Sequence, residues 1–207
     1  MENLLIYPTY FPSISHFVAM ASANKITFEV EDNYQKQTNR NRMYIYSPNG
    51  IQLLNIPVKH TKDRHQKTKD IKLETAFNWQ KQHFKSLEAA YRSSPFFEYF
   101  EDAIIPVFEK KYTFLIDLNF ETIDIVAGCL KMQLVFDKTQ EYFHDVIDTV
   151  DLRGLAVGKK DENQFAEYTQ VFGDKFGFLN NLSILDLLFN EGRHALDYLQ
   201  QQKKSTQ

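Results

Sequence analysis

Apolar residues recur along this chain at changing intervals, and each interval predicts an element. Leu4-Leu5-Ile6-Tyr7 is an unbroken apolar run, too short for a helix, and predicts a central strand. Pro8 and Pro12 bracket a turn, and Ser13 is placed to cap a helix from Ile14 to about Ala23. Ile26, Phe28 and Val30 then alternate with Thr27, Glu29 and Glu31, the period of a strand with one apolar face. By that parity Asp32 points inward, where a carboxylate needs a partner. Arg42–Tyr46 and Ile51–Val58 flank Ser47-Pro48-Asn49-Gly50, whose proline presets φ and whose glycine suits a left-handed position; together they predict a β-hairpin. Lys59–Lys69 is almost wholly charged or polar and reads as a mobile connection, with Arg64 and His65 on it as a candidate lid. Asp70–Glu74 reads as a further strand.

From Trp79 the period becomes helical. Trp79, His83, Leu87, Ala90 and Tyr91 share one face, opposite Lys81, Lys85, Glu88 and Arg92. Phe96–Glu109 and Thr113–Met132 predict two more helices, with Cys129 as a small core residue. Beyond them the signals weaken. Gln133–Phe136 and Leu155–Val157 suit strands, and Asp137–Thr149 suits a short helix. Ser183 and Asp186 have the spacing of a capping box, and a helix from there is interrupted at Gly192. The pattern predicts an α/β (or α+β) fold in one domain, residues 1–207: a small mixed sheet with a β-hairpin, flanked by a helical block at about 76–132. Residues 1–75 carry the site, and 133–202 supply short strands and C-terminal helices. A pocket at the carboxyl ends of the first two strands is expected of such a sheet.

Composition narrows the function by exclusion. No apolar run reaches the roughly 18 residues of a membrane span, and Met1-Glu2-Asn3 lacks the basic start of a signal peptide. A single cysteine allows no internal disulfide and no CxxC metal site, so the cytoplasm is the expected compartment. There is no GxGxxG, no GxxxxGK[ST], no HExxH and no GxSxG. The net charge of −3 conceals an asymmetry: residues 1–95 carry 13 Lys and Arg against 8 Asp and Glu, residues 96–207 carry 11 against 19. A chain with pI near 6.1 is not a nucleic-acid binder in general. Its basic half suits a small phosphorylated ligand.

Folding the hairpin back on its turn brings Arg40 and Arg42 toward Val58 and Ile56, so Asn39-Arg40-Asn41-Arg42 and Lys59-His60 share one end. The preceding strand delivers Asp32, Gln35 and Lys36 to the same neighbourhood. Cations, carboxamides, one acid and one imidazole therefore converge.

The segments Tyr7-Pro8-Thr9-Tyr10-Phe11-Pro12, Glu31-Asp32-Asn33-Tyr34-Gln35-Lys36 and Arg40-Asn41-Arg42 resemble the WbqC-like family. Ile56-Pro57-Val58, Trp79-Gln80-Lys81-Gln82-His83 and Asp186-Leu187-Leu188-Phe189-Asn190 extend the likeness almost end to end. Two departures are Tyr7-Pro8, where many members have Gln-Pro, and His16, where an aromatic is frequent. The resemblance implies a bacterial, cytoplasmic transferase of O-antigen or related surface-polysaccharide biosynthesis, adding an aminoacyl group, glycyl among the candidates, to a nucleotide-linked amino sugar. Under that reading Arg40 and Arg42 offer planar forks to a diphosphate, with Asn41, Gln35, Lys36, Lys59 and Tyr10 as further substrate contacts. His83 or His60 is the candidate base, since an imidazole titrates near ~6.5, and Asp32 orients it or binds the amine. The bland alternatives are an Arg–Asp32 structural pair and a hydrogen-bonded core His83. No metal site and no cofactor are evident; Mg²⁺ and ATP enter only under a ligase or nucleotidyltransferase reading. A non-catalytic nucleotide-sugar or phosphate-binding protein is the other alternative.

Overall fold

A computed structural model of the chain describes residues 3–59 and 65–202. Strand β1 (Asn3–Ile6) leads through helix α1 (Ile14–Ala21) to β2 (Lys25–Phe28), and β3 (Arg42–Ser47) and β4 (Gly50–Asn55) form a hairpin. Helices α2 (Trp79–Tyr91), α3 (Phe97–Glu109) and α4 (Leu115–Cys129) follow. The remainder holds β5 (Phe136–Lys138), β6 (Val150–Asp151) and helices α5 (Gly173–Phe176), α6 (Ile184–Glu191) and α7 (Ala195–Gln202). The α/β class expected from the pattern is what the structure shows, with the strands divided between two sheets. One is four-stranded in the order β5-β2-β1-β6, all parallel; the other is the antiparallel hairpin.

The apolar run of β1 is explained by its place at the middle of that parallel sheet. Leu4, Leu5 and Ile6 are buried because both faces of a parallel sheet are covered. The helix between β1 and β2 returns the chain to the same end, so the strands pair in parallel from Asn3↔Lys25 to Ile6↔Phe28. Helix α2 begins at Asn78, whose side chain accepts from the Lys81 amide at 3.1 Å. Its buried face is the one read from the sequence, Trp79, His83, Leu87, Ala90 and Tyr91, and it packs on α3 and β3.

The weaker segments differ from expectation. Asp70–Glu74 is not a strand: a 3-10 turn occupies Thr68–Asp70, and only the isolated bridges Val58↔Leu73 and Lys72↔Phe114 follow. Leu155–Val157 falls on another 3-10 turn (Arg153–Ala156), the strand lying earlier at β6. Residues 139–149 hold no helix, and β5 begins only at Phe136. Residues 66–70 of the charged connection are tied down rather than free. Tyr34 N donates to Gln66 O, Thr68 N donates to Asp32 O, and Lys67 and Lys69 both pair with Glu31. Arg64 lies outside the described residues. Asp186 does not close a capping box: Ser183 Oγ accepts from Leu185 N at 3.4 Å, while the Asp186 carboxylate accepts from Tyr91, Tyr168 and Gln170 in the core.

Candidate functional site

The hairpin turn sets the register on which the site depends. Gly50 adopts φ +93 and pairs with Ser47, which places Arg42 opposite Asn55, one residue from the expected Ile56. That single residue changes the chemistry. Asn55 Oδ1 accepts from Arg42 Nε and from Asn41 Nδ2, each at 3.2 Å, and Asn41 Nδ2 also donates to Ile56 O at 2.9 Å. The carboxamides thus fix the base of the Arg42 guanidinium, and its two terminal nitrogens have no hydrogen-bond partner among the described residues. The register position of a residue in a hairpin is a property of the turn, and here the turn selects Asn55 as the anchor.

Beside Arg42 opens a cleft of about 1060 Å³. Its wall carries three cations, Lys36, Arg42 and Lys59, and the carboxamides of Gln37, Asn41, Asn55 and Gln66. Among the described residues none of these three cations has a carboxylate within 4.0 Å, as is also true of several surface lysines; what sets them apart is that they share one wall. Phe77, 69% exposed, and the half-buried Tyr34 add aromatic surface. Glu74 is the one acid on the wall among the described residues. Amides of Ala76 and Thr75 donate to it at 2.9 and 2.8 Å, and with Lys59 nearby they hold its carboxyl below the usual range. Burial pushes the Tyr34 hydroxyl up to about 12 despite Arg40 and Arg42, so it stays a neutral donor.

The predicted residues separate into groups. Lys36, Asn41, Arg42 and Lys59 meet at the cleft. Arg40 does not share a face with Arg42: it is 0% exposed, its Nη2 donates to Asp32 Oδ2 at 2.7 Å, and its guanidinium lies 3.7 Å from the Tyr7 ring centroid. A guanidinium enclosed between an acid and an aromatic ring has no face for a ligand, and Asp32 has found its reason for pointing inward. Tyr10 and His83 form a third group, Tyr10 Oη lying 3.0 Å from His83 Nδ1 in the core. Burial lowers His83 to about 4, and the ring is also hydrogen-bonded to the Asn55 backbone. A neutral ring that donates to the Asn55 carbonyl leaves Nδ1 to accept from Tyr10. His83 therefore stands behind Asn55 and outside the cleft wall, and Tyr10 is a core residue. Gln35 is exposed and absent from the wall. His60 lies outside the described residues.

The carboxyl ends of the parallel strands, the expected pocket, hold a closed network instead. Glu29 Oε1 accepts from Glu31 N and Thr139 Oγ1 at 2.8 and 2.9 Å, and Glu29 Oε2 lies 3.8 Å from Arg153. Arg153 grips Asp151 with two nitrogens and donates to the carbonyls of Phe143 and His144. Sequence reasoning missed this network because Glu29 lies more than a hundred residues from Arg153 and Thr139, the groups it meets. It also missed Asn55, Glu74 and Phe77. The first was legible as a hairpin-register partner of Arg42; Glu74 ends a segment that the pattern marks as a strand but not as part of the site, and Phe77 lies between that segment and the helix that begins at Trp79. Among the described residues no group of three or more His, Cys, Asp and Glu is arranged for a metal ion.

Comparison with known proteins places this geometry in a lineage. The model of the WbqC-like protein family matches residues 7–153, which span α1, β2, the hairpin, the cleft and all three central helices. The chain belongs to the WbqC-like protein family. An uncharacterized protein of Mycobacterium tuberculosis, Rv1507c, is 26% identical over 225 aligned residues, covering 94% of this chain and 96% of its own length. No solved structure matches. The family match takes in every cleft residue named above, from Tyr34 to Phe77.

Proposed function

We propose that this WbqC-like protein binds a nucleotide-linked amino sugar in the cleft and transfers an aminoacyl group, with glycyl the candidate, to the sugar amine in surface-polysaccharide biosynthesis in the cytoplasm. The observation that carries the binding half is the set of three cations, Lys36, Arg42 and Lys59, on one wall with no carboxylate in pairing distance among the described residues. Exposed cations that converge without partners cost repulsion, which a bound diphosphate offsets by charge-assisted hydrogen bonds of about 1.5–3 kcal/mol each. Phe77 and Tyr34 give a base its stacking surface, and such stacking contributes about 1–3 kcal/mol per base. Glu74, held ionised, accepts the ammonium of the amino sugar. The identity of the transferred group comes from the family resemblance.

In the transfer, the ammonium first loses a proton to water. The free amine then forms a C–N bond to the activated acyl carbon, the acyl–leaving-group bond breaks with its electron pair going to the leaving group, and the nitrogen gives its second proton to water to leave a neutral amide. Arg42 faces the oxygen on which negative charge develops. His83 takes no part as a base, being walled off behind Asn55, and acts by positioning Asn55. Mass spectrometry of purified protein incubated with a nucleotide amino sugar and activated glycine should show a gain of one glycyl group on the sugar. Arg42→Ala should weaken binding of UDP by about tenfold or more. Equal UDP binding by the variant would remove the cleft from the reading.

One feature supports a second reading: among the described residues the cleft wall holds no imidazole. A non-catalytic nucleotide-sugar carrier needs none. It predicts the same loss of UDP affinity in Arg42→Ala with no glycyl transfer from any activated donor.

A further inference from the structure

A second cavity, about 320 Å³ in volume, shares Arg42 with the cleft and no other lining residue. Its polar wall contains no Asp or Glu. Two of its carboxamides are spoken for: Asn180 accepts from Phe165 N and donates to Asn163 O, and Asn181 accepts from Ser15 N and donates to Asp161. Asn39 differs. Its backbone is fixed at both ends, N donating to Ala156 O at 2.8 Å and O accepting from Tyr10 N at 3.1 Å, yet its carboxamide, at the cavity wall, makes no hydrogen bond among the described residues. Gly158 lies so close that a Cβ there would come within 3.2 Å of the Asn39 amide, and the absence of that atom lets the 3-10 turn Gly158–Lys160 carry Lys159 alongside. Lys159 has no carboxylate within pairing distance among the described residues.

Three donor-bearing residues, Asn39, Lys159 and Arg42, therefore line one small space that Phe11, Met43 and Leu182 also wall. We propose that this cavity is a second ligand site, which takes a small acyl phosphate: the phosphate against Lys159, Asn39 and Arg42, and the short acyl body against Met43 and Leu182. The donor identity rests on the transferase reading; the anion site does not. A donor here and an acceptor in the cleft meet at the one residue common to both walls. That shared residue marks where the two substrates would have to approach within about 3–3.5 Å for transfer.

NMR titration of the full chain with acetyl phosphate, in the absence and presence of saturating UDP, tests the site. Acetyl phosphate should shift the Gly158 and Lys159 amides and the Asn39 side-chain amide in both conditions. Lys159→Glu, at an exposed position, should weaken acetyl phosphate by about tenfold or more and leave UDP within about twofold. Lys36→Glu should do the reverse, and Arg42→Ala should weaken both. Displacement of acetyl phosphate by UDP, or unchanged acetyl phosphate binding in Lys159→Glu, would overturn the second site. Failure of UDP to bind while acetyl phosphate still shifts Gly158 and Asn39 would overturn the cleft reading and support this one.

Discussion

Two arginines a residue apart show how different the fate of like side chains is. Arg40 is sealed against Asp32 and Tyr7, and Asp32 Oδ1 and Arg40 Nε have no partner among the described residues. A buried pair of this kind contributes little net stability, but removing one member strands the other's charge, at a cost of about 3–5 kcal/mol. Arg40→Ala should therefore lower the unfolding free energy by about that amount in urea titrations, with Asp32→Asn also destabilising. Arg42 is half-buried and holds only Asn55, so Arg42→Ala should change stability by less than about 1 kcal/mol while UDP affinity falls. If the two variants proved equally destabilised, the division between a structural and a ligand-facing arginine would be wrong. The NRNR stretch makes both arginines look available because strand parity alone puts alternate residues on one face. Residue 40 precedes β3, so parity does not reach it.

Elements are joined here by glycines whose backbone leaves no choice. Gly192, between α6 and α7, has φ +56 and ψ −121, and an added Cβ would sit 2.5 Å from the Phe96 ring. Strain in the backbone and overpacking against the ring add, and Gly192→Ala should lose about 2–4 kcal/mol, measured by thermal or chemical unfolding. The sequence marked this glycine as a helix interruption but not its contact with Phe96, which comes from a segment 96 positions earlier. Gly50 behaves alike in the hairpin: its φ of +93 is what a left-handed turn position needs, and the residue type announced it. The pattern predicts a different conformation from the one observed at Asp70–Glu74, Asp137–Thr149 and Leu155–Val157, none of which has a long periodic run of its own. Their conformation is set by neighbours such as Phe114, which bridges Lys72, rather than by their own period.

At the scale of the whole molecule, stability should depend on pH through two buried histidines. Burial lowers both His16 and His83 to about 4, against roughly 6.5 in an unfolded chain. Between those values the unfolded state binds more protons than the folded one, so stability is full above about pH 6.5 and falls as pH drops toward 4. Each imidazole contributes on the order of 2–3 kcal/mol to that loss. His83→Gln should flatten the dependence in that window, read as the urea midpoint between pH 7 and 4.5. An unchanged slope would mean that the ring is hydrated and charged. The chain by itself determined the α/β class, the α2 stripe, the hairpin and its turn, and the basic character of the first half, because each is written in local period, turn chemistry or charge. Only the tertiary structure decided that Arg40 is walled in with Asp32, that His83 stands behind Asn55, and that Lys36, Arg42 and Lys59 meet around one cleft with no carboxylate partner among the described residues. Pairing and burial depend on which distant segment arrives beside a side chain, and no spacing along the chain carries that information.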